Sequence, residues 1–113
     1  MRLATETRRL LLTAAEEARS LGHSYVGSGH LLLALSAEPG EAGKMLRMAG
    51  CSRTLLRKMM IVLYGTGNAC LPLPQGFSRE AGKILHGAGE EARYHKMPQI
   101  RPVHILLLSL IHI

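Results

Sequence analysis

The sequence has no tryptophan and no aspartate, and it holds one phenylalanine and three tyrosines among 113 residues. With so few aromatic rings, a core has to be built from leucine, methionine, alanine, isoleucine and valine. The two cysteines, Cys51 and Cys70, lack a CxxC partner and do not make a disulfide framework. No apolar run approaches the roughly 20 residues that span a bilayer, and no secretory signal pattern opens the chain. These absences predict a reduced, cytoplasmic protein of one domain without membrane contact.

The charge balance is basic, with 14 lysines and arginines against 8 acidic residues and a formal net charge of +6. Such a balance permits attraction to nucleic acid or to an acidic partner. The basic residues are scattered, however, with 9 in residues 1–64 and 5 in residues 65–113. This scatter favours a solvated helix surface, and a small helical nucleic-acid-binding protein remains the alternative function.

An internal repeat organises the chain. Glu16–Arg19, followed by His30–Leu33, recurs as Glu90–Arg93 followed by His104–Leu107, and every position is displaced by 74 residues. A repeat of this kind dictates the architecture. It predicts an all-α tandem repeat with a first unit, a linker rich in glycine and proline, and an incomplete second unit, in residues 1–64, 65–76 and 77–113.

Hydrophobic spacing and turn residues place the individual helices. Serines are the expected N-caps of three of them, at Ser28, Ser52 and Ser78, and Gly22 and Gly50 are the expected stops. The second helix is apolar on most sides, so we expect it at the centre of the bundle. The predicted helices are 4–21, 29–37, 41–49, 53–64, 78–94 and one that begins at Pro102. The residues expected in the core include Tyr25, Val26, Met45, Leu46, Leu55, Leu56, Met59, Met60 and Leu63.

The chain offers little that could carry chemistry. Gly40–Lys44 has two residues between its glycines and a methionine after the lysine, so it does not match a Walker A loop. Adjacent glutamates in each repeat point about 100° apart on a helix and share no catalytic site. His30 and His104 lack the spacing of metal ligands, and we expect each to be a buried or half-buried imidazole that is hydrogen-bonded to a neighbouring loop. The sequence therefore predicts no enzyme, no metal and no cofactor.

The segment Glu16–Leu35, EEARSLGHSYVGSGHLLLAL, resembles the repeat of the Clp amino-terminal domain in ClpA- and ClpC-type Hsp100 AAA+ unfoldases. Glu41–Leu46 and the restart at Phe77–Ala81 are similar to the family as well. The resemblance implies an all-α fold of two four-helix units related by a pseudo-twofold axis. It also implies a docking function for adaptor proteins and protein substrates, which an attached AAA+ ring then unfolds with ATP.

The resemblance further implies that partners bind at helix faces and loop ends near the two repeat starts. The partner-binding candidates are Leu3, Ser28, Gly29, His30, Phe77, Pro102, Val103 and His104. In ClpC-type members, the acidic residue of a T-E-H motif in each repeat helps to bind phosphorylated arginine. Gly29 and Val103 stand at those positions, and neither has the carboxylate that pairs with a guanidinium group. We therefore predict weak or absent phosphoarginine binding.

The second unit lacks counterparts of the third and fourth helices, so the apolar face of residues 103–110 is expected to lose half of its cover. Three explanations compete. The sequence is part of a longer unfoldase, or it is a free-standing protein that forms a homodimer through that face and acts as a decoy for Clp adaptors, or residues 109–113 are not native. We expect the first.

Overall fold

The computed structural model describes residues 2–67 and 76–111. Within them, six helices joined by loops make up most of the chain, and two short strands, β1 (Arg2–Leu3) and β2 (Gln99–Ile100), pair in parallel. None of the described helices is long and apolar enough to cross a membrane. Cys70, most of the predicted linker and residues 112–113 lie outside the described residues. The helices are α1 (Thr5–Ser20), α2 (Ser28–Ala37), α3 (Glu41–Met48), α4 (Arg53–Tyr64), α5 (Arg79–Tyr94) and α6 (Pro102–Ile111).

The two repeats exchange their first residues. α1 and α5 begin and end 74 residues apart (5 to 79, 20 to 94), and so do α2 and α6 (28 to 102, 37 to 111). Leu3, which opens the first repeat, pairs with Ile100 of the second, whereas Phe77, which opens the second, pairs with Val26 of the first. This reciprocal exchange gives a pseudo-twofold arrangement and joins both repeats in one core. The predicted all-α repeat fold is confirmed.

Alanines lie on the buried faces of α1 and α5, the first helix of each repeat. On α1 an apolar stripe is buried, with Leu10 at 3% and both Ala14 and Ala18 at 0% exposure. Their counterparts on α5, Ala88 and Ala92, are also at 0%. Because the alanine side chain is a single methyl group, α2 and α6 can approach these stripes closely and bury their leucines against them.

α2 lies at the centre of the bundle, as predicted. Leu33 and Leu35 are at 0% exposure, and α2 contacts each of the other five described helices. Arg47 of α3 donates from Nη1 to the carbonyl oxygens of Ser36 and Glu38, at 2.8 and 2.9 Å. These bonds satisfy carbonyl groups at the end of α2 that no later helical amide reaches.

Most of the predicted helix boundaries are confirmed by their capping geometry. The hydroxyl groups of Ser52 and Ser78 each accept a hydrogen bond from the amide three residues later, at 3.2 Å. Gly22 and Gly50 follow α1 and α3 with φ angles of 73° and 85°. Glycine adopts this left-handed backbone without the steric cost that a side chain brings, so both residues stop their helices.

The prediction that the apolar stripe of α4 lies in the core is wrong for most of its members. Leu56 and Met60 are buried, at 8% exposure each. α4 packs mainly against α2, so only one pair of residues four apart faces the bundle. The remaining members of the stripe are 47–68% exposed: Leu55, Met59 and Leu63.

Met45–Leu46 and Tyr25–Val26 are two further pairs of neighbours that were predicted to lie in the core, and the prediction is wrong for one residue of each pair. Met45 is 56% exposed although Leu46 is buried, and Tyr25 is 50% exposed although Val26 is buried. Successive side chains point in different directions in a helix and to opposite sides in an extended segment, so both neighbours cannot face the core.

Candidate functional site

The predicted partner-binding residues form two clusters, one at the start of α2 and one at the start of α6. The first cluster consists of Phe77, Ser28, Gly29 and His30. The second cluster consists of Leu3, Pro102, Val103 and His104. Because the repeats exchange their first residues, each cluster contains one residue from the other repeat. Sequence analysis named these residues but did not show which of them meet.

Each cluster contains a histidine that caps its own helix. The Gly27 amide donates to His30 Nδ1 at 2.8 Å, and the Arg101 amide donates to His104 Nδ1 at 2.9 Å. Both side chains are buried, at 4% and 8% exposure, as predicted. The prediction that Ser28 caps α2 is wrong, because Gly27 is the N-cap residue and Ser28 is the first helical residue. The imidazole at the third helical position performs the capping role that glutamate or glutamine performs in a capping box.

His30 also belongs to a chain of hydrogen bonds that the sequence pattern did not reveal. His23 Nδ1 lies 2.8 Å from His30 Nε2, and His23 Nε2 lies 2.9 Å from the Gly65 carbonyl oxygen. A carbonyl oxygen only accepts, so His23 Nε2 carries a proton and donates it. His23 Nδ1 then accepts from His30 Nε2–H, and both imidazoles are neutral. This histidine relay connects the loop after α1, the start of α2 and the end of α4.

The pKa of the histidine is lowered in both clusters, but by different neighbouring groups. Burial, and then the neighbouring His23, lower the pKa of His30 to about 4. In the second cluster, burial and then Arg101 lower the pKa of His104. Met97 stands 74 residues after His23, so the second cluster has a thioether where the first has its second imidazole.

Two grooves border the first cluster. The larger, of about 520 Å³, is lined by residues that include His23, Tyr64 and Glu80 of α5. The smaller is a mainly apolar groove of about 300 Å³ between α2 and α4. They meet where Met60 lies over Gly29, since a Cβ on that glycine would be 2.2 Å from Met60 Sδ. Met60 therefore occupies the space where the side chain of a larger residue 29 would begin. In the larger groove, the apolar Met60 and the carboxylate of Glu80 are both part of the lining.

The second cluster borders a smaller groove of about 90 Å³, whose lining includes Glu6, Arg101 and Val103. Glu6 and Glu80 occupy the same position in the two repeats (6 to 80). Each cluster is therefore bordered by a carboxylate from the first turn of α1 or α5 of the other repeat. An exposed apolar residue next to a carboxylate can bind an extended polypeptide that carries both apolar and basic side chains.

The Glu16–Glu17 pair separates into a surface residue and a buried one. Glu16 forms an exposed ion pair with Arg19 at 2.8 Å. The Glu17 side chain is 9% exposed and accepts hydrogen bonds from Arg53 Nε at 3.1 Å and Arg57 Nη1 at 3.3 Å. Glu17 thus holds α4 against α1. This contact could not be predicted from local spacing, because Arg53 and Arg57 are 36 and 40 residues away from Glu17.

The family model for the Clp repeat (R) N-terminal domain matches residues 1–65. The chain is 34% identical over 100 residues to the chloroplastic chaperone protein ClpC2 of Oryza sativa subsp. japonica, covering 88% of this chain and 11% of the relative. It is 33% identical to the ClpA homolog of Guillardia theta, an ATP-binding subunit of the ATP-dependent Clp protease, covering 88% and 12%.

A solved structure shares the fold. The N-terminal domain of the chaperone ClpD from Arabidopsis thaliana matches with a TM-score of 0.77 and 23% identity, over 96% of this chain and 75% of that one. The chain spans little more than a tenth of the length of the two curated relatives. The matched repeat and the shared fold identify the chain as a member of the Clp repeat N-terminal domain family.

Proposed function

We propose that the chain is an adaptor- and substrate-docking domain of a Clp-type ATP-dependent protein unfoldase and carries out no catalysis itself. The observation that carries this proposal is the 33–34% identity to ClpC and ClpA relatives over 100 residues of this chain. An attached AAA+ ring supplies ATP hydrolysis in this scheme. The division into a first repeat, a linker and an incomplete second repeat, at residues 1–64, 65–76 and 77–113, belongs to the same proposal.

We assign the docking function to the two clusters. Phe77 and Val103 are 44% and 38% exposed. Val103 lines the groove at the start of α6, and Phe77 precedes Ser78, which lines the larger groove at the start of α2. Exposed apolar side chains next to a concave surface are typical of binding sites. In this proposal they contact apolar side chains of a substrate, while Glu80 and Glu6 attract its basic residues.

Two narrower predictions accompany the docking function. A cytoplasmic location is one of them, although the name of the rice relative places that protein in the chloroplast. The other is a homodimer through the exposed face of residues 103–110. Val103, Leu107 and Leu110 are 38–56% exposed, which supports a binding role for this face without choosing its partner.

Anisotropy measurements with a fluorescently labelled, permanently unfolded protein test the docking function. We expect Phe77→Asp and Val103→Asp together to weaken binding at least about tenfold, because each puts a charge at the centre of a cluster. Leu12→Asp is the matched control, since Leu12 is 69% exposed on α1 and borders neither cluster. The proposal is wrong if the wild-type chain does not bind, or if the control weakens binding equally. DNA binding that falls steeply with salt would instead support the nucleic-acid alternative.

A further inference from the structure

Three carboxylates line the groove of about 90 Å³ at the start of α6. Glu6 lies in the first turn of α1, Glu38 follows the last residue of α2, and Glu41 begins α3. None of the three forms an ion pair within residues 2–67 and 76–111, although the chain has 14 basic residues and 8 acidic ones. The groove therefore collects negative charge that the described part of the chain leaves without an ion pair.

Glu38 is a buried carboxylate with one oxygen that lacks a hydrogen bond. The residue is 8% exposed, and its Oε2 accepts from the Gly43 amide at 3.3 Å. Oε1 has no partner among the described residues, where every fully buried side-chain oxygen has one, so Oε1 is open to the groove. A Cβ on Gly40 would lie 2.7 Å from Oε1, which places this oxygen over another residue of the lining. Capping of α3 explains the contact of Oε2 but not the position of Oε1.

We propose that this groove binds the side-chain ammonium group of a lysine in a docked polypeptide. The inference rests on the proposed docking function and names a ligand for the second cluster. An ammonium group has three N–H donors, and the three carboxylates reach the groove from three separate segments of the chain. Ala42 and Pro102 also line the groove and provide apolar surface for the methylene stem of the lysine. A buried carboxylate gains from such a cation, because pairing removes the cost of an uncompensated charge.

Other ligands fit the groove less well. The described residues contain no group of three His, Cys, Asp or Glu side chains that could hold a metal ion, so the three carboxylates are not placed around one ion. The planar guanidinium group of arginine suits a single carboxylate, and a phosphate group would be repelled by all three. Arg101 also lines the groove, and its one positive charge still leaves the three carboxylates in excess.

A nuclear magnetic resonance titration of the isotope-labelled chain with a capped peptide, which holds one lysine between two leucines, tests the inference. We expect saturable shifts of the Gly40 and Gly43 amide signals, and none when the lysine is acetylated at Nζ, because acetylation removes its charge. Glu38→Gln should weaken binding at least about tenfold while the Gly43 amide keeps an acceptor. Gly40→Ala keeps every charge but displaces the Glu38 carboxylate, so it should weaken binding as well. Glu16→Gln, in the exposed ion pair of α1, is the matched control and leaves the affinity unchanged.

Glu6→Gln changes the groove at an exposed position, so it tests the inference even if Glu38→Gln does not fold. We expect this variant to weaken binding of the lysine peptide too. The inference is overturned if the lysine peptide gives no saturable shift, or if its acetylated form binds equally well. It is also overturned if an arginine peptide binds as tightly as the lysine peptide, or if Glu6→Gln leaves the affinity unchanged.

The Phe77→Asp variant separates this inference from the docking function. Phe77 belongs to the first cluster and is absent from the lining of the lysine groove. The variant should therefore bind the lysine peptide as the wild-type chain does, while its binding of the unfolded protein is weakened. A wild-type chain that binds the unfolded protein but not the lysine peptide would overturn the inference and leave the docking function intact.

Discussion

Mild acid should destabilise this domain through His30. The neutral imidazole is the form that the fold requires, because Nδ1 accepts from the Gly27 amide and Nε2 donates to His23. A proton on Nδ1 removes the acceptor and places a charge on a side chain that is 4% exposed. His30→Gln isolates this effect, since glutamine at the third helical position can reach back to the N-cap amide but does not titrate.

The size of the effect follows from the pKa. His30 has a pKa of about 4 in the folded chain, lowered from 6.5. Between these values the unfolded chain binds more protons than the folded one, so the free energy of unfolding falls as the pH falls. The contribution is fully present above pH 6.5 and lost by about pH 4. It amounts to about 3 kcal/mol, of which about 2 kcal/mol disappears between pH 7 and pH 5.

Urea denaturation followed by circular dichroism measures this loss. From pH 7 to pH 5, the wild-type chain should lose about 2 kcal/mol more of its free energy of unfolding than His30→Gln does. His86→Gln is the control, because the His86 side chain is 78% exposed on α5, and it should keep the wild-type pH dependence. Parallel pH profiles for the wild-type chain and His30→Gln would refute the assignment of a buried neutral imidazole.

Glu17→Gln should lower the free energy of unfolding by about 2 kcal/mol, because two arginines of α4 lose their carboxylate partner. Glu16→Gln, which alters the exposed neighbouring pair, should leave the urea midpoint unchanged, and equal effects of the two would contradict the burial of Glu17. Leu33→Ala should cost about 3 kcal/mol and Leu107→Ala about 1 kcal/mol, since the first is at 0% and the second at 42% exposure; similar losses in urea unfolding would show that Leu107 is as well covered as Leu33. Calorimetric titration with a phosphoarginine peptide should show no micromolar binding, because neither T-E-H position carries a carboxylate, and a micromolar affinity would overturn this prediction.

Local chemistry explains which features could be predicted from the sequence. The helices follow from apolar spacing, and their ends follow from residues such as Ser52 and Gly22, whose hydrogen bonds and φ angles depend on a few neighbours. Where several residues competed for one role, local reasoning was less reliable. Ser28 is a good N-cap by type, but Gly27 is the N-cap residue, and its amide donates to the buried imidazole of His30.

The candidate site residues remain a prediction from the family resemblance, and the contacts that bring them together could not be predicted from the sequence. The family resemblance marked the starts of α2 and α6, which the structure shows as two equivalent clusters. It did not show that Phe77 and Leu3 cross to the opposite repeats, or that His23 links His30 to the end of α4. These contacts join residues that are far apart along the chain, so no local spacing encodes them.

The sequence by itself determined the repeat, the helices and the absence of a Walker motif, because identical residues at a constant displacement of 74 fold into equivalent elements. Only the tertiary structure decided which of two neighbouring apolar residues is buried. Met45 and Leu46 are adjacent on α3 and both were expected in the core, yet the first is 56% exposed and the second is buried. Burial is a property of what packs on a residue, and that depends on the positions of all neighbouring elements.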